Sequence, residues 1–453
     1  MSAIDNFFKI KENGSNIQTE IIAGIATFLT MAYIIIVNPG ILANANMPFA
    51  GVMFATILVC AFSSIAMGLY TNLPFALAPG MGLNAFIAFS IILGSGGSVT
   101  WQTAMGAVFI SGIIFILLSL FKIREKIVEA IPESLRYGVA SGIGIFLALI
   151  GLTEVGFIIK NPATIVGFGG ITPQVILFII GLLITGFMVI KKIKGALIFG
   201  IIITAILAFI INPIVVASGG KAFTSLDPTA AIILPDTIFA LPNLDVFFKL
   251  DITGALSLGM ILPIFTLLFT DMFDSISTFV GVSEVGGFID EETKQPKNVG
   301  KALLVDAFST TISGLFGTSP GTTYIESATG VQEGGRTGLT AVVAGLLFLP
   351  FMFLSPILRV IPVVATAPIL VLVGLFMIVP LMKIKWSDFE DSLPAFLSLI
   401  LIPLTYSITQ GIVWGFISYT IIKVLLGKSK DIPLTLWIID IFAILSLTLP
   451  FLK

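Results

Sequence analysis

The chain contains no histidine and a single cysteine, Cys60. The first absence excludes Ser-His and Cys-His nucleophile pairs and histidine metal sites. The second excludes an internal disulfide framework and a cysteine metal cluster. Charge is scarce too: only 11% of the 453 residues are Asp, Glu, Lys or Arg, against about 25% in a soluble domain. The net charge of −2 leaves no basic surface for nucleic acid. No GxxxxGK[ST] stretch occurs, so no ATP-driven engine is encoded. What is abundant is apolar: 57% hydrophobic residues and a mean hydropathy of +1.11. So little charge cannot wet a globule of this size, and lipid must cover most of it. The expected fold class is an all-α polytopic membrane protein.

A spanning helix needs about 20 mostly apolar residues. Such runs fall near 17–38, 50–69, 73–93, 101–121, 135–157, 173–190, 195–216, 256–282, 299–316, 337–356, 361–382 and 411–427. Shorter runs lie near 320–332 and 393–408, and a hydrophobic tail covers 433–452. The expected number of spans is about 14. The polar lead-in has no basic start, apolar run and cleavage site, so it does not read as a signal peptide. Its Phe7, Phe8 and Ile10 are expected to lie on the membrane surface. With the N-terminus in the cytoplasm, Lys122, Arg124, Lys126, Arg136, Lys191, Lys192, Lys194, Lys294, Arg336 and Lys383 all fall inside, as the positive-inside rule requires. The same rule counts 320–332 as a crossing.

The chain repeats itself weakly. Ala78-Pro79-Gly80-Met81-Gly82-Leu83 resembles Ser319-Pro320-Gly321-Thr322-Thr323-Tyr324, and Glu129-Ala130-Ile131-Pro132 is echoed by Arg359-Val360-Ile361-Pro362. An odd number of spans per half makes the second half inverted. Paired interrupted segments in inverted halves point to a transporter's binding site near the midplane. A Pro-Gly pair alone only kinks a helix.

An acid at the centre of a span costs about 2.5–3.5 kcal/mol to insert. Three acids are read as lying within apolar stretches: Asp271 and Asp274 in LLFTDMFDSISTF, and Glu326 in TSPGTTYIESATG. Asp271 and Asp274 are three apart and share one helix face. A helix beginning near Pro320 would offer free N–H groups to a ligand, with the hydroxyls of Thr323 and Tyr324 beside them. In the mirrored segment, Asn84 can donate and accept at once. Its plainer reading is glue between helices. Phe75, Phe86 and Phe273 are candidates to stack on a flat ligand, although packing explains any single Phe equally well. No Arg or Lys falls among these residues, which disfavours an anion and suits a neutral ligand rich in N–H groups, such as a nucleobase.

The stretches FFKIKENGSNIQTEIIAGIATFLTMAYIIIVNP, ALAPGMGLNAF, TDMFDSISTFVGV and TSPGTTYIESATGVQEGGRTGLTAV resemble the AzgA-like branch of the nucleobase–cation symporter-2 family, over nearly the whole chain. The resemblance implies a permease for adenine, guanine and hypoxanthine in the cell membrane. It implies fourteen segments in two inverted sevens, with short extended stretches in segments 3 and 10. It divides the chain into a core domain (1–121 and 251–356) and a gate domain (122–250 and 357–453, with the C-terminal tail). By motif, Asp274 and Glu326 would hold the substrate. Asp271 and Asn84 stand at polar positions that the family also needs, and Gly82 would let the base approach the backbone. Ser277 departs from the pattern, where relatives often have Gly. No cofactor is implied. The implied mechanism is secondary active transport by proton symport, since a carboxylate desolvated in a closed pocket binds a proton more readily. Glu326 and Asp271 are the candidate carriers. Sodium stays open, because Thr270, Asp271 and carbonyl oxygens could ligate it. A gate-domain homodimer can form in related transporters. The rivals are an anion carrier of the same broad architecture, a channel, and an intramembrane enzyme, for which an aspartyl pair on one helix has poor geometry.

Overall fold

The computed structural model describes residues 3–121, 131–223, 235, 237–289 and 296–448. Lys122, Arg124, Lys126, Glu129, Ala130, Lys294 and the tail beyond 448 lie outside these. Among the described residues, fourteen segments follow one another. Segment 1 is two helices, Ile17–Met31 and Ile34–Ala43. Segment 2 is Phe49–Thr71. Segment 3 is the strand β1, Leu77–Pro79, then the helix Met81–Ala85 and a π turn, Phe86–Ile92. Segments 4 to 7 are Trp101–Leu120, Glu133–Glu154, Pro173–Ile190 and Ala196–Ala217. Between segments 5 and 6 lies a small hairpin, β2 (Ile158–Asn161) with β3 (Ile165–Phe168). Segments 8 and 9 are Ile261–Gly286 and Val299–Phe316. Segment 10 is the strand β4, Gly321–Thr323, and the helix Ser327–Gln332. Segments 11 to 14 are Gly338–Phe348, Val363–Ile378, Phe389–Thr405 and Ile408–Leu425. A final helix, Leu434–Thr448, packs on segment 14.

The two sevens pack as copies of one another. Segment 2 lies on 11 as 9 lies on 4. Segment 1 lies on 11 as 8 lies on 4. Segment 6 packs on 12 as 13 packs on 5, and 6 on 7 as 13 on 14. Two pairs map onto themselves, 5 with 12 and 3 with 10. Seven crossings per half place the second copy upside down, which is the inverted repeat expected from the sequence. Segments 1–4 and 8–11 form one packed group, and 5–7 and 12–14 another.

Between apolar helices in lipid there is little hydrophobic force, so close association depends on small residues that let backbones meet. A Cβ placed on Gly144 of segment 5 would stand 2.6 Å from the Gly374 carbonyl of segment 12 and 2.8 Å from Met377 Cβ. Gly112 and Gly314 play the same part between segments 4 and 9: a Cβ on either would come within 2.6 Å of the opposing backbone nitrogen, of Thr311 or Phe109.

At the N-terminus one expectation is corrected. Only Phe7 is exposed, while Phe8 and Ile10 are buried against Leu339 of segment 11. Glu20 is fully buried for a related reason. It accepts the N–H groups of Arg336 (2.9 Å) and Thr337 (3.3 Å) and the Thr340 hydroxyl (2.6 Å), capping the open start of segment 11.

Gly144→Leu is expected to abolish the monodisperse peak in size-exclusion chromatography, since the overpacking here is against backbone. Gly186→Leu, at a position with nothing within 4 Å of a built Cβ, is expected to leave the peak intact.

Candidate functional site

β1 and β4 cross antiparallel, pairing Leu77 with Thr323, Ala78 with Thr322 and Pro79 with Gly321. Pro79 has no N–H to give, and the chain turns helical at Gly80, which caps the helix Met81–Ala85. Extended backbone at membrane depth persists only where protein satisfies it. Here side chains of neighbouring segments do so. Ser64 Oγ accepts the Leu77 N–H (2.9 Å), Ser327 Oγ that of Ala76 (3.0 Å) and Ser313 Oγ that of Gly321 (3.1 Å). Asp306 accepts both the N–H (3.0 Å) and the hydroxyl (3.2 Å) of Thr323, and the Ser275 hydroxyl at 2.5 Å. Gly80 donates to the Pro320 carbonyl and Tyr324 to that of Ala76. The helix expected to begin near Pro320 therefore begins at Ser327. The N–H groups at Gly321, Thr323 and Tyr324 are spent on this cradle and are not offered to a ligand.

Two adjoining cavities meet at the crossing and share Gly82, Asp274 and Met377. The first, about 60 Å³, lies among Gly82, Ile131, Leu135, Arg136, Val139, Ile143, Phe269, Thr270, Phe273, Asp274, Ser277 and Phe416. The second, about 70 Å³, lies among Tyr33, Met81, Thr278, Thr323, Tyr324 and Glu326. Gly82 allows the close approach of segment 5: a Cβ there would lie 2.5 Å from Ile143 Cγ2. Tyr33, at the break in segment 1, donates its hydroxyl to Glu326 Oε1 at 2.7 Å. Asp274 Oδ2 accepts a long bond, 3.4 Å, from Thr322. The Tyr324 hydroxyl is tied to the Pro79 carbonyl at 2.5 Å.

The structure thus gathers Asp274, Glu326, Gly82, Thr323, Tyr324 and Phe273 around the crossing. It leaves four other candidates out. Asp271 lines neither cavity; its Oδ2 accepts the Thr310 hydroxyl (2.5 Å) on segment 9. Three residues on a helix still differ by about 60° of rotation, enough to aim one carboxylate at the cavity and the other at a neighbour. Phe75 is buried against Phe279 and Phe288, and Phe86 lies in the main core. Asn84 is fully buried and donates to Asn38 Oδ1 (3.1 Å). Asn38 is the centre of that knot, giving its two N–H groups to Thr56 (2.7 Å) and Thr318 (2.8 Å) and accepting from Ser319 (3.0 Å). The Asn84 Nδ2 group is thus engaged between helices, while its buried Oδ1 has no hydrogen-bond partner among the described residues.

Tyr33, Asp306 and Arg136 were not among the candidates. Asp306 stands inside the apolar run 299–316, so the cost of a buried acid marks it as surely as it marks Asp271. Arg136 carries a cation to the cavity, against the expectation that no Arg or Lys would be there. Its place at the end of an apolar run made it look like a loop charge. Tyr33 had no sequence signal.

At one end of the molecule the two groups of segments are joined by Asn44 to Glu154 (3.0 Å), Ser90 to the Tyr406 carbonyl (2.7 Å) and Thr266 with Thr409 (3.1 Å); at the other, Lys194 forms an ion pair with Glu333 (2.7 Å). The first cavity lies toward the other end, where Arg136 begins segment 5 and Met377 ends segment 12.

An inverted fourteen-segment repeat, with two broken segments crossing beside a mostly apolar cavity that carries a few polar groups, defines a membrane transport protein and not an enzyme. The chain belongs to the Permease family described by the Xan_ur_permease model, which matches residues 18–414. It is 40% identical to the adenine permease AdeP of Escherichia coli (strain K12), over 98% of this chain and 96% of that one. It is 41% identical to the guanine/hypoxanthine permease PbuO of Bacillus subtilis (strain 168), over 97% and 98%. It is equally similar, at 41%, to the putative permease MJ0326 of Methanocaldococcus jannaschii, over 98% and 97%. The fold is that of the transmembrane domain of the cyanobacterial bicarbonate transporter BicA (TM-score 0.63, 18% identity, 88% of this chain and 97% of that one). It is also that of murine Slc26a9, an anion transporter in the inward-facing state (TM-score 0.63, 11% identity, 91% and 69%).

Asn38→Ala would take the acceptor from the buried donors of Ser319 and Asn84 and a donor each from Thr56 and Thr318. It is expected to destabilise the protein by roughly 2 kcal/mol or more, read as a lower midpoint in detergent thermal unfolding.

Proposed function

We propose that this chain is a purine nucleobase permease of the cell membrane, with its N-terminus in the cytoplasm. The observation that carries the reading is the placing of two carboxylates, Asp274 and Glu326, in adjoining cavities at the crossing of β1 and β4. Among the described residues, no Lys or Arg forms an ion pair with either. Carboxylates accept hydrogen bonds, so they suit a ligand edge rich in N–H groups. Phe273 and Phe269 line the first cavity with Asp274 and offer faces for a flat ring. The purine permeases about 40% identical over nearly the whole chain support the same substrate class.

Transport is secondary active and proton-coupled in this reading. Glu326 is the preferred carrier over Asp271, because it borders the cavity and, among the described residues, has only the Tyr33 hydroxyl as a side-chain partner. Protonation there removes a charge before the site closes. Segments 1–4 and 8–11 act as a core that slides past a gate of segments 5–7 and 12–14, like an elevator. The end joined through Asn44, Ser90 and Thr266 is the outer face in this reading. A homodimer through the gate is part of the proposal. An anion carrier is the second reading. Arg136 favours it, and the two carboxylates at the same cavities oppose it.

The test is uptake of labelled hypoxanthine, competed by a panel of bases and by bicarbonate and sulfate. It is run with and without a pH gradient and with sodium removed. Accumulation blocked by purines and abolished by a protonophore is expected. Sodium dependence with indifference to the protonophore would overturn the proton coupling, and competition by anions alone would overturn the substrate. Glu326→Gln is expected to abolish uptake while the protein still reaches the membrane; kinetics equal to the parent's would remove Glu326 from the site.

A further inference from the structure

Among the described residues, Arg136 is the one cation lining the cavity. It sits in the first turn of segment 5, where its Nη2 lies 3.5 Å from Glu133 Oε1. Glu133 is 73% exposed, so that pair is screened by water and weak. The guanidinium side chain itself is only 22% exposed. Its Nε is buried and, among the described residues, has no hydrogen-bond partner. Around it stand Ile131, Leu135 and Val139, which offer no acceptor from their side chains. A buried donor left unmade is unfavourable, and the cavity is where a partner could come from.

The chemistry of the lining is then divided. Asp274 presents acceptors at one part of the cavity, and Arg136, a donor only, stands at its mouth. A ligand that meets both needs N–H groups on one edge and acceptors on another. The 6-oxopurines have that pattern. They carry N1–H on one edge, and O6 and N7 side by side on another, the pair that a guanidinium grips with two bonds. Adenine has an amino group in place of O6, so it would turn a donor toward a donor.

We propose that Arg136 is a specificity-determining residue that selects 6-oxopurines, hypoxanthine and guanine, over adenine. The inference rests on the purine reading above. It assigns to the cytoplasmic mouth of the cavity a discrimination that the carboxylates do not make, since both kinds of purine offer them N–H groups.

The test is equilibrium binding of labelled hypoxanthine and labelled adenine to the purified full chain, in the parent, Arg136→Gln and Arg136→Lys. The parent is expected to bind hypoxanthine more tightly. Arg136→Gln is expected to weaken hypoxanthine roughly tenfold or more while changing adenine by less than about twofold, the scale of one bidentate pair. Arg136→Lys, with charge but no planar fork, is expected to lose most of the discrimination. Scanning fluorimetry checks that each variant is folded. If one variant fails to fold, the other decides. Equal weakening of both bases, no change in either, or a parent that prefers adenine would overturn the assignment. A parent that binds neither base would instead bring down the purine reading, which is how the two failures are told apart.

Discussion

The structure depends on satisfying extended backbone in the middle of a membrane protein. Residues 76–80 and 320–324 cannot form a helix ladder, and no water is at hand to replace it. Their N–H groups are met by Ser64, Ser313, Ser327 and Asp306, and by each other across the β1–β4 pairing. Each of those side chains comes from a segment packed around the crossing. Segments 2, 9 and 10 are thereby held to the crossing by polar bonds as well as by packing. Asp306 reaches furthest, joining segments 8, 9 and 10 through Ser275 and Thr323.

The cavity follows from that crossing. Two strands end where two short helices begin, so the chain runs out of side-chain bulk at Gly80 and Gly82 on one side. On the other, Thr323, Tyr324 and Glu326 are brought level with Asp274. Tyr33 completes this edge because segment 1 is itself broken, between Met31 and Ile34. Segment 5 closes the far wall with Val139 and Ile143, and adds Arg136 at the mouth. One wall thus belongs to the group that holds the carboxylates and the other to the group that holds the guanidinium. Relative motion of the two groups would change the cavity's charge pattern as well as its opening.

The two groups touch differently within and between themselves. Within each, glycine pairs bring backbones together, as at Gly144 and Gly374, where even a methyl group would not fit. Such contacts suit rigid bodies, because dense packing has few alternatives. Between the groups, the joins are single polar contacts such as Asn44 to Glu154, Ser90 to Tyr406 and the part-exposed ion pair of Lys194 with Glu333. These can be exchanged for water bonds at small net cost.

Much of this was legible in the chain. Low charge and long apolar runs determine a membrane protein, because lipid must cover what charge cannot. The paired Pro-Gly breaks marked segments 3 and 10, since proline and glycine act locally wherever they fall. The cost of buried charge pointed to Asp274 and Glu326. What a buried polar residue faces was decided only by the tertiary structure. Asp271 and Asp274 differ by less than one helical turn, yet one meets Thr310 and the other the cavity. Asn84 is claimed by Asn38, Phe75 by Phe279, and Glu20 by the start of segment 11, more than three hundred residues away. Composition and local backbone preference are properties of short stretches and can be read along the chain. A side chain's partner is set by helix rotation and by which segments pack together, and that is a property of the whole fold.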